Sequence, residues 1–541
     1  MAPFVSKTKE EKPMRKRFQE MVFVSAIMSC ICLGSIYFCT TWQMTIELIV
    51  SVITVCFLMS FVLSGQPNAK ELNEDDGREA AMRPRPPKEM LYKKPVGFCF
   101  GSYKGKYVCK RIDTDGSILV QGSSGCGKSA TIIQEYIINP QNTESNSLVL
   151  DLKHELVDKC VMPEDVYGPE NPTGKSIILD PLDRHHGYGW DPFYRLNDKS
   201  TETEVLDVMD TIALSIIPPA KGDSQVWSLA AQQFLRGALA YFYKVEKLRT
   251  LPECIAAMKS APIQEIVERI LTGASTGGVI YATMISFKDM ADETITSLNM
   301  TLSQRTVQYY TSPDLQWCLG ANPRKCCPED MLKHNIFLCL PESKLDQWGQ
   351  LIFLVFNQYF TWAMDLPEKS EDPDRPYLAC ILDETVALLA GVGANIPKLA
   401  QMLRIGARGK GITMLICVQS IAGLEAAIGD KSEVKDMISN LTYKYILDSC
   451  DNETSEEIAG WIGEYRQRKV SVNGNGKNQK STVSYGTESI VKNEELMKLV
   501  QTGEAILISS QYGYMRLKKE YVFKNKYFKK LLKNVQDAKR A

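Results

Sequence analysis

The chain has 541 residues, of which 44% are hydrophobic and 23% are charged, so it is long enough for about three to four folded units. The 63 Lys and Arg residues nearly balance the 64 Asp and Glu residues, giving a net charge of −1, which excludes a uniformly basic coat for nucleic acid. The 16 cysteines form no Cys-x-x-Cys pair and there are only 4 histidines, which argues against a disulfide scaffold and a His-rich zinc site.

Two apolar stretches near the N-terminus predict a membrane anchor. Residues 21–40 carry no charge and match the about 20 residues that cross a bilayer as a helix, and a second apolar stretch, 42–64, follows. Six basic residues lie in the cytoplasmic N-terminus that we predict for 1–20, and none lies between the stretches, so both termini are expected in the cytoplasm. A cleaved signal peptide is the alternative, but no cleavage site follows the first stretch. We therefore predict a two-span transmembrane hairpin over 21–64.

The segment after the anchor is predicted to be a linker, over residues 65–94. It is polar, then acidic, then rich in proline as far as Met90. Such a composition cannot bury enough apolar surface to fold by itself.

A phosphate-binding loop follows the strand-like run 117–120. Its sequence is Gly-Ser-Ser-Gly-Cys-Gly-Lys-Ser and a helical pattern follows it, which is the G-x-x-x-x-G-K-[ST] motif in its required context. Backbone N–H groups of such a loop bind phosphates, and its lysine reaches the β and γ phosphates. The hydroxyl group of its final Ser or Thr binds Mg²⁺. A glycine-rich turn without a ligand is the alternative. The predicted binding residues for ATP are Gly122, Ser123, Ser124, Gly125, Cys126, Gly127, Lys128 and Ser129.

Two further strands are predicted where apolar runs end in an acid. The run 147–150 ends at Asp151, and the run 175–179 ends at Asp180. Polar residues at the carboxyl ends of strands suit the ligand-facing edge of a parallel sheet. For these two acids individually, a structural role is the stronger expectation.

A buried strand that ends in two acids is predicted far downstream. The run 377–382 is apolar and is followed by Asp383 and Glu384, the Walker B pattern. We expect Asp383 to bind Mg²⁺ together with Ser129, and Glu384 to orient or deprotonate the attacking water. An unrelated pair of acids at a strand end is the alternative.

A neighbouring strand is predicted over 412–418, ending in Gln419. An amide at that point can sense the γ-phosphate or the water that attacks it. The segment before this strand carries Arg404, Arg408 and Lys410. An arginine here can act as a finger on a neighbouring subunit's nucleotide, or it can be a solvated helix charge.

The last part of the chain has a predicted mobile loop and a basic end. Residues 471–486 are rich in Asn, Gly, Ser and Lys, which favours a flexible surface loop. Residues 516–541 hold ten basic and two acidic residues, a net charge of +8. Nucleic acid, anionic lipid or an acidic partner fits such a segment, and a solvated amphipathic tail is the alternative.

Taken in chain order, these segments resemble the type IV secretion system coupling protein family, the TraG-like conjugation ATPases. The family's D-P-K-G-E-L-like motif is matched by residues 151–156, with Leu152 and His154 in place of Pro and Gly. Its D-P-L, W-N-P-L and D-E-F-A patterns are matched at Asp180, Trp190 and Asp383, and its Gln-Ser pair is kept at Gln419.

The resemblance implies an α/β fold, with a RecA-like P-loop NTPase domain that is interrupted by an all-α insertion domain and preceded by the two-helix transmembrane anchor. The nucleotide-binding domain would comprise 95–201 and 329–515, the insertion 202–328, and the basic C-terminal segment 516–541. The implied catalytic residues are Lys128, Glu384, Gln419 and Arg408. Arg404 is the alternative to Arg408.

The implied function is that of a P-loop ATPase in the bacterial inner membrane, with most of the chain in the cytoplasm. It would recruit relaxase-bound DNA or effector proteins and couple ATP hydrolysis to their delivery into a type IV secretion channel. Its expected partners are the channel ATPases, inner-membrane components, the anionic membrane and copies of itself in a hexameric ring. An FtsK-like double-stranded DNA translocase and a membrane receptor that does not hydrolyse ATP are the alternatives.

Overall fold

The structure of the protein is a computed structural model, and it describes residues 85–220, 224–392, 399–406, 409–449, 451–473 and 480–540. The chain divides into two units, Ala81–Lys469 with Ser484–Ala541 and Met1–Ala80 with Val470–Val483. In the described ranges, no helix has both the length and the apolar character of a membrane span. The two predicted spans lie outside these ranges.

The strands and helices follow in chain order. The strands are β1 (Leu91–Tyr92), β2 (Phe98–Tyr103), β3 (Lys106–Lys110), β4 (Ile118–Gln121), β5 (Ser145–Asp151), β6 (Ser176–Leu179), β7 (Gly189–Trp190), β8 (Lys325–Cys326), β9 (Asn335–Cys339), β10 (Tyr377–Leu382), β11 (Ile412–Val418), β12 (Tyr443–Ile446), β13 (Glu464–Asn473), β14 (Lys480–Ser489), β15 (Glu504–Ser509) and β16 (Gly513–Lys518). The α-helices are α1 (Gln134–Ile138), α2 (Glu155–Cys160), α3 (Glu202–Ile216), α4 (Ser224–Lys244), α5 (Leu251–Met258), α6 (Ile263–Gly273), α7 (Val279–Met284), α8 (Asp292–Thr311), α9 (Pro313–Gln316), α10 (Leu345–Asp365), α11 (Thr385–Val392), α12 (Leu399–Gln401), α13 (Ile421–Ile428), α14 (Lys431–Ser439), α15 (Asn452–Ile462), α16 (Asn493–Leu496), α17 (Leu499–Thr502) and α18 (Lys526–Arg540).

A 12-stranded sheet organises the fold, in the order β1-β3-β2-β16-β15-β12-β4-β11-β10-β5-β9-β6. From β12 to β6 every neighbouring pair is parallel, whereas the pairs from β1 to β12 are antiparallel. The parallel strands therefore end at one common edge. β11 lies between β4, which precedes the phosphate-binding loop, and β10, which precedes Asp383.

The parallel strands are buried on both faces, which explains their unbroken apolar sequences. Successive residues of β4 alternate between two cores: Leu119 packs in the core that contains the helices from α3 to α10. Ile118 and Val120 pack in the other core, which contains residues of the helix that follows the phosphate-binding loop and residues of the antiparallel strands. This arrangement confirms the strands predicted at 117–120, 147–150, 175–179, 377–382 and 412–418.

A helical region lies between β7 and β8. It begins with a capping box, in which Thr201 and Glu204 bond to each other's backbone N–H groups at the start of α3. The described residues from there to Ala321 contain helices and turns but no strand. β7, before this region, pairs in parallel with β8, after it. The insertion predicted over 202–328 as all-α therefore also includes the strand β8.

The predicted linker, 65–94, is wrong at its C-terminal end. Met90 is buried, and Leu91–Tyr92 pair with Val108 and Tyr107 of β3. An edge strand of two residues is too short to give an alternating pattern, which is why the sequence does not reveal it.

The predicted mobile loop, 471–486, is also wrong in the part that the structure describes. Residues 471–473 end β13 and residues 480–486 lie in β14, and the two strands pair with each other. The sequence contains a strand signal before the connection, because Val470 and Val472 alternate with polar residues. Its polar composition concealed that signal.

The basic C-terminal segment, 516–541, is part of the fold rather than a separate tail. Its first residues, to Lys518, complete β16. The segment ends in α18, which packs against α1 and α2 and buries Phe528 and Val535. These two residues are two helical turns apart, so they lie on one face, and the lysines occupy the rest of the helix surface.

Candidate nucleotide-binding site

The phosphate-binding loop joins β4 to a π-helical turn, Ser129–Ile133, which continues into α1. Gly125 and Gly127 have φ angles of 78° and 97°, in the left-handed region that favours glycine. A Cβ atom on Gly122 would lie 2.5 Å from Cys126 Sγ. Glycine is therefore required at each of these three positions by the backbone or by the lack of space.

The basic group of the loop is held inside it. Lys128 Nζ donates hydrogen bonds to the carbonyl oxygens of Gly122, at 2.8 Å, and Ser123, at 3.2 Å. The Lys128 side chain is buried, whereas Ser124 is exposed at the tip of the loop. The ammonium group thus lies where a phosphate bound in the loop would meet it.

Ser129 and Asp383 connect the two halves of the site. Ser129 Oγ donates a hydrogen bond to Asp383 Oδ2 over 2.7 Å. Burial raises the pKa of Asp383 to about 6, and the hydrogen bond from Ser129 opposes that rise. The second oxygen, Oδ1, is buried without a hydrogen-bond partner among the described residues. A hydroxyl and a carboxylate with a spare buried oxygen fit Mg²⁺, which prefers oxygen ligands.

Glu384 is held between an amide and an ammonium group. Its Oε2 accepts a hydrogen bond of 3.4 Å from Gln419 Nε2, and its Oε1 lies 3.6 Å from Lys153 Nζ. Gln419 follows β11, and its carbonyl oxygen accepts a hydrogen bond from Gln121 Nε2. The structure therefore brings five predicted site residues together at the carboxyl edge of the parallel strands: Lys128, Ser129, Asp383, Glu384 and Gln419.

Of the two candidate arginines, the structure describes only Arg404, which is not part of this cluster. Arg408 lies outside the described residues; its neighbour Gly409 accepts a hydrogen bond from Lys369 N near the amino ends of β10 and β11. Arg404 forms an ion pair with Asp436 of α14, with 2.5 Å between Nε and Oδ2. Within one chain, the Arg404 guanidinium is thus already paired with a carboxylate at the surface.

Asp151 and Asp180 have the structural roles that were expected. Asp151 Oδ2 accepts hydrogen bonds from the N–H groups of Leu156 and Val157, both at 2.9 Å, at the start of α2. Asp180 Oδ1 accepts one from Leu182 N at the same distance. In the same motif, His154 has a φ angle of 55°, in the left-handed region that favours glycine.

Sequence reasoning missed the residues that support the loop on the side of β12. Ser123 Oγ donates a hydrogen bond to Asp448 Oδ2 over 2.5 Å. The buried Lys519 donates one from Nζ to the carbonyl oxygen of Leu447 over 2.6 Å. Asp448 does carry a signal, because it is an acid that follows the short apolar run 445–447, as Asp383 follows β10. Lys519 carries no local signal, since it is almost 400 residues from the loop in sequence.

Comparison with known proteins places this site in a family. No curated protein sequence matches the chain significantly. Among solved structures, the bacterial conjugative coupling protein TrwBΔN70 in an unbound monoclinic form matches with a TM-score of 0.59 and 18% identity, over 83% of this chain and 91% of that chain. TrwB with ADP and Mg²⁺ gives 0.58 and 17%, over 80% and 91%. TrwB with the non-hydrolysable ATP analogue ADPNP gives 0.56 and 18%, over 75% and 85%.

These likenesses show that the chain shares the mixed α/β, RecA-like fold of TrwB, with its large parallel sheet. The sequence model described as type IV secretory system conjugative DNA transfer matches residues 73–541, which is most of the chain. The chain belongs to the type IV secretory system conjugative DNA transfer family, the coupling proteins of type IV secretion.

Proposed function

We propose that this protein is a membrane-anchored ATPase that collects relaxase-bound DNA or effector proteins and uses ATP hydrolysis to deliver them into a type IV secretion channel. The observation that carries the proposal is the hydrogen bond between Ser129 and Asp383, which joins the phosphate-binding loop to the acidic strand end beside Glu384. Membership of the type IV secretory system conjugative DNA transfer family supports DNA as a cargo of this ATPase.

The ligand is proposed to be ATP with Mg²⁺. TrwB, which shares the fold, has been solved with ADP and Mg²⁺ and with an ATP analogue. In this chain Ser129 and Asp383 would hold the metal, which when bound neutralises charge on the β and γ phosphates. Lys128 would contribute a second positive charge to the same phosphates.

Glu384 is the proposed base for the attacking water. Its carboxylate would accept the proton as the water oxygen bonds to the γ-phosphorus and the bond to ADP breaks. The hydrogen bond from Gln419 and the nearby Lys153 ammonium hold that carboxylate in one orientation. Gln419 therefore acts on the water through Glu384 as well as by direct contact.

Arg408 is proposed to complete the site of a neighbouring subunit in a hexameric ring. Its sequence neighbour Gly409 lies near the amino ends of the strands, at the edge opposite the chain's own loop, which supports a role in trans. Mixing Arg408→Ala subunits with Lys128→Ala subunits should restore some activity, because some interfaces would pair an intact loop with an intact arginine. No recovery in subunits that are shown to co-assemble would contradict this role.

The proposed location is the bacterial inner membrane, with both termini and the bulk of the chain in the cytoplasm. This rests on the two apolar stretches in 21–64 and on the basic residues before them. The proposed partners are the channel ATPases and inner-membrane components. The exposed lysines of α18 are available to the anionic membrane surface.

The test is the ATPase activity of the full chain in detergent, alone and with relaxase-bound single-stranded DNA or free double-stranded DNA. We expect Mg²⁺-dependent hydrolysis that the relaxase-bound strand stimulates. Nucleotide binding without hydrolysis under all conditions would favour the receptor alternative. Stimulation by double-stranded DNA alone would favour the translocase alternative.

A further inference from the structure

The segment 519–525, between β16 and α18, crosses the phosphate-binding loop where the loop enters its helix. Val522 N donates a hydrogen bond to the carbonyl oxygen of Ala130 over 2.9 Å. A Cβ atom on Gly127 would lie 2.7 Å from Cε1 of Tyr521. The tyrosine ring therefore lies directly against the backbone of the loop.

This segment is fixed at several points along its length. Lys519 is buried and bonds to the end of β12. Glu520 accepts hydrogen bonds from Ser102 Oγ on β2, over 2.6 Å, and from Asn525 Nδ2, over 2.9 Å. Asn525 Oδ1 in turn accepts one from the hydroxyl group of Tyr107, over 3.1 Å. The position of Tyr521 is thus set by contacts with the sheet and does not depend on the loop alone.

Two aromatic rings are presented here side by side. The rings of Tyr521 and Phe523 are 5.4 Å apart between centres and tilted by 31°. Phe523 is 48% exposed, although apolar rings of this size are usually buried. Lys524 Nζ lies 4.9 Å from the centre of the Tyr521 ring and 5.9 Å from that of Phe523, which restrains the pair.

The neighbours of β4 on its two sides indicate which way a nucleotide bound in the loop would point. Asp383 and Glu384 come from β10, so the γ-phosphate end of the nucleotide lies on that side of the loop. The loop's N–H groups bind the α and β phosphates, and the nucleoside extends beyond the α-phosphate. The segment that carries Tyr521 contacts Ala130 and the end of β12, on the other side of β4.

We propose that Tyr521 and Phe523 form a stacking platform for the base of the nucleotide. This rests on the proposed function, because it assumes that the loop binds a nucleoside triphosphate. An aromatic face stacks on any base, so a platform of this kind binds ATP and GTP with similar affinity.

The experiment compares Mg²⁺ complexes of ATP and of inorganic tripolyphosphate, which has the phosphates but no base, for binding to the full chain by calorimetry. Tyr521→Ala should weaken ATP binding by about 5- to 150-fold, the usual range for one stacked base, and leave tripolyphosphate binding unchanged. Tyr521→Phe, which keeps the ring, should bind ATP like the unaltered protein. Phe523→Ala, which removes the exposed ring, should likewise weaken ATP binding and leave tripolyphosphate binding unchanged.

Tyr527→Ala is the matched control. Tyr527 is an aromatic residue of α18 that donates a hydrogen bond from its hydroxyl group to Asn139 Oδ1, and among the described residues it forms no hydrogen bond with the loop. It should leave ATP binding unchanged. Unaltered ATP affinity in both Tyr521→Ala and Phe523→Ala, or an equal loss of tripolyphosphate binding, would overturn the platform while leaving the proposed function intact. An unaltered protein that binds neither ligand would instead overturn the proposed function, and the platform with it.

Discussion

The two sides of β4 are built in different ways. On the side of β10 and β11, the residues proposed to face the γ-phosphate directly follow buried strands, as Asp383 and Gln419 do. On the side of β12, the loop is supported by Asp448 and by a segment from the far end of the chain, which places Tyr521 against Gly127. The chemistry of the first side is thus encoded in short motifs, and the shape of the second side depends on long-range packing.

The largest effect among the residues clustered on the first side is expected from Lys128→Ala. The change removes the only buried ammonium group that bonds within the loop, among the residues that the structure describes. We expect ATP turnover to fall by about 10³-fold or more, because both phosphate binding and stabilisation of developing charge are lost. The measurement is steady-state phosphate release, with membrane insertion as the control for an intact protein. Normal cargo transfer by this variant would contradict a motor function.

Glu384→Gln, on the same side, should slow ATP hydrolysis without weakening ATP binding. The amide cannot accept the proton of the attacking water, so hydrolysis should slow by about 10²- to 10⁴-fold. Asp383 and Ser129 are unchanged, so binding of ATP with Mg²⁺ should stay within about threefold of the unaltered protein. Calorimetry and single-turnover hydrolysis measure the two quantities. A large loss of ATP affinity would place Glu384 in the metal shell instead.

A buried acid tests the packing of the second side. Glu135 lies on α1 and is almost fully buried. Burial raises the pKa of Glu135 well above its ordinary value, and nearby Cys99 and Glu520 raise it further. The titratable groups that interact with it come from β2, β3, β12 and the C-terminal segment: Cys99, Tyr107, Tyr445 and Glu520.

Glu135→Gln should therefore stabilise the protein more as the pH rises. Between about pH 4.3, the pKa of an unfolded glutamate, and its higher pKa in the folded state, the folded chain binds a proton that the unfolded chain has lost. The glutamate protein consequently loses up to about 1.4 kcal/mol of stability for each pH unit in this window, whereas the glutamine variant does not. Thermal unfolding of both proteins from pH 5 to pH 8 measures the difference.

The exposed Glu155 of α2 offers a control for that comparison. Glu155→Gln removes one carboxylate of the same kind from the surface, where solvent keeps the cost of its charge small. Glu155 pairs with Lys159 one helical turn away, at 2.6 Å, and an exposed pair of this kind contributes at most about 1 kcal/mol, so the change in stability should stay below that bound throughout the experiment. A constant difference between Glu135→Gln and the unaltered protein across the pH range would mean that water reaches the Glu135 carboxylate.

How far the sequence predicts the molecule depends on which side of β4 is considered. The buried parallel strands and the five clustered site residues have local signatures, because a strand covered on both faces must be apolar and its end must carry the polar chemistry. β1 and the packing of α18 have none, since two-residue pairing and contacts across hundreds of residues leave no local period. The strand β13 had a usable signal in the alternation of Val470 and Val472 with polar residues, which a polar composition obscured.

The smallest effect is expected from Arg404→Ala, which distinguishes the two candidate arginines. Arg404 and Asp436 have side chains that are 52% and 40% exposed, and an exposed ion pair contributes at most about 1 kcal/mol to stability. We therefore expect ATPase activity to stay within about twofold, and Asp436→Ala, which breaks the same pair, to behave alike. Arg408→Ala should reduce the same activity by about 10³- to 10⁵-fold if it acts as a finger. The reverse pattern would mean that Arg404 leaves Asp436 during assembly of the ring and is itself the residue that reaches the neighbouring nucleotide.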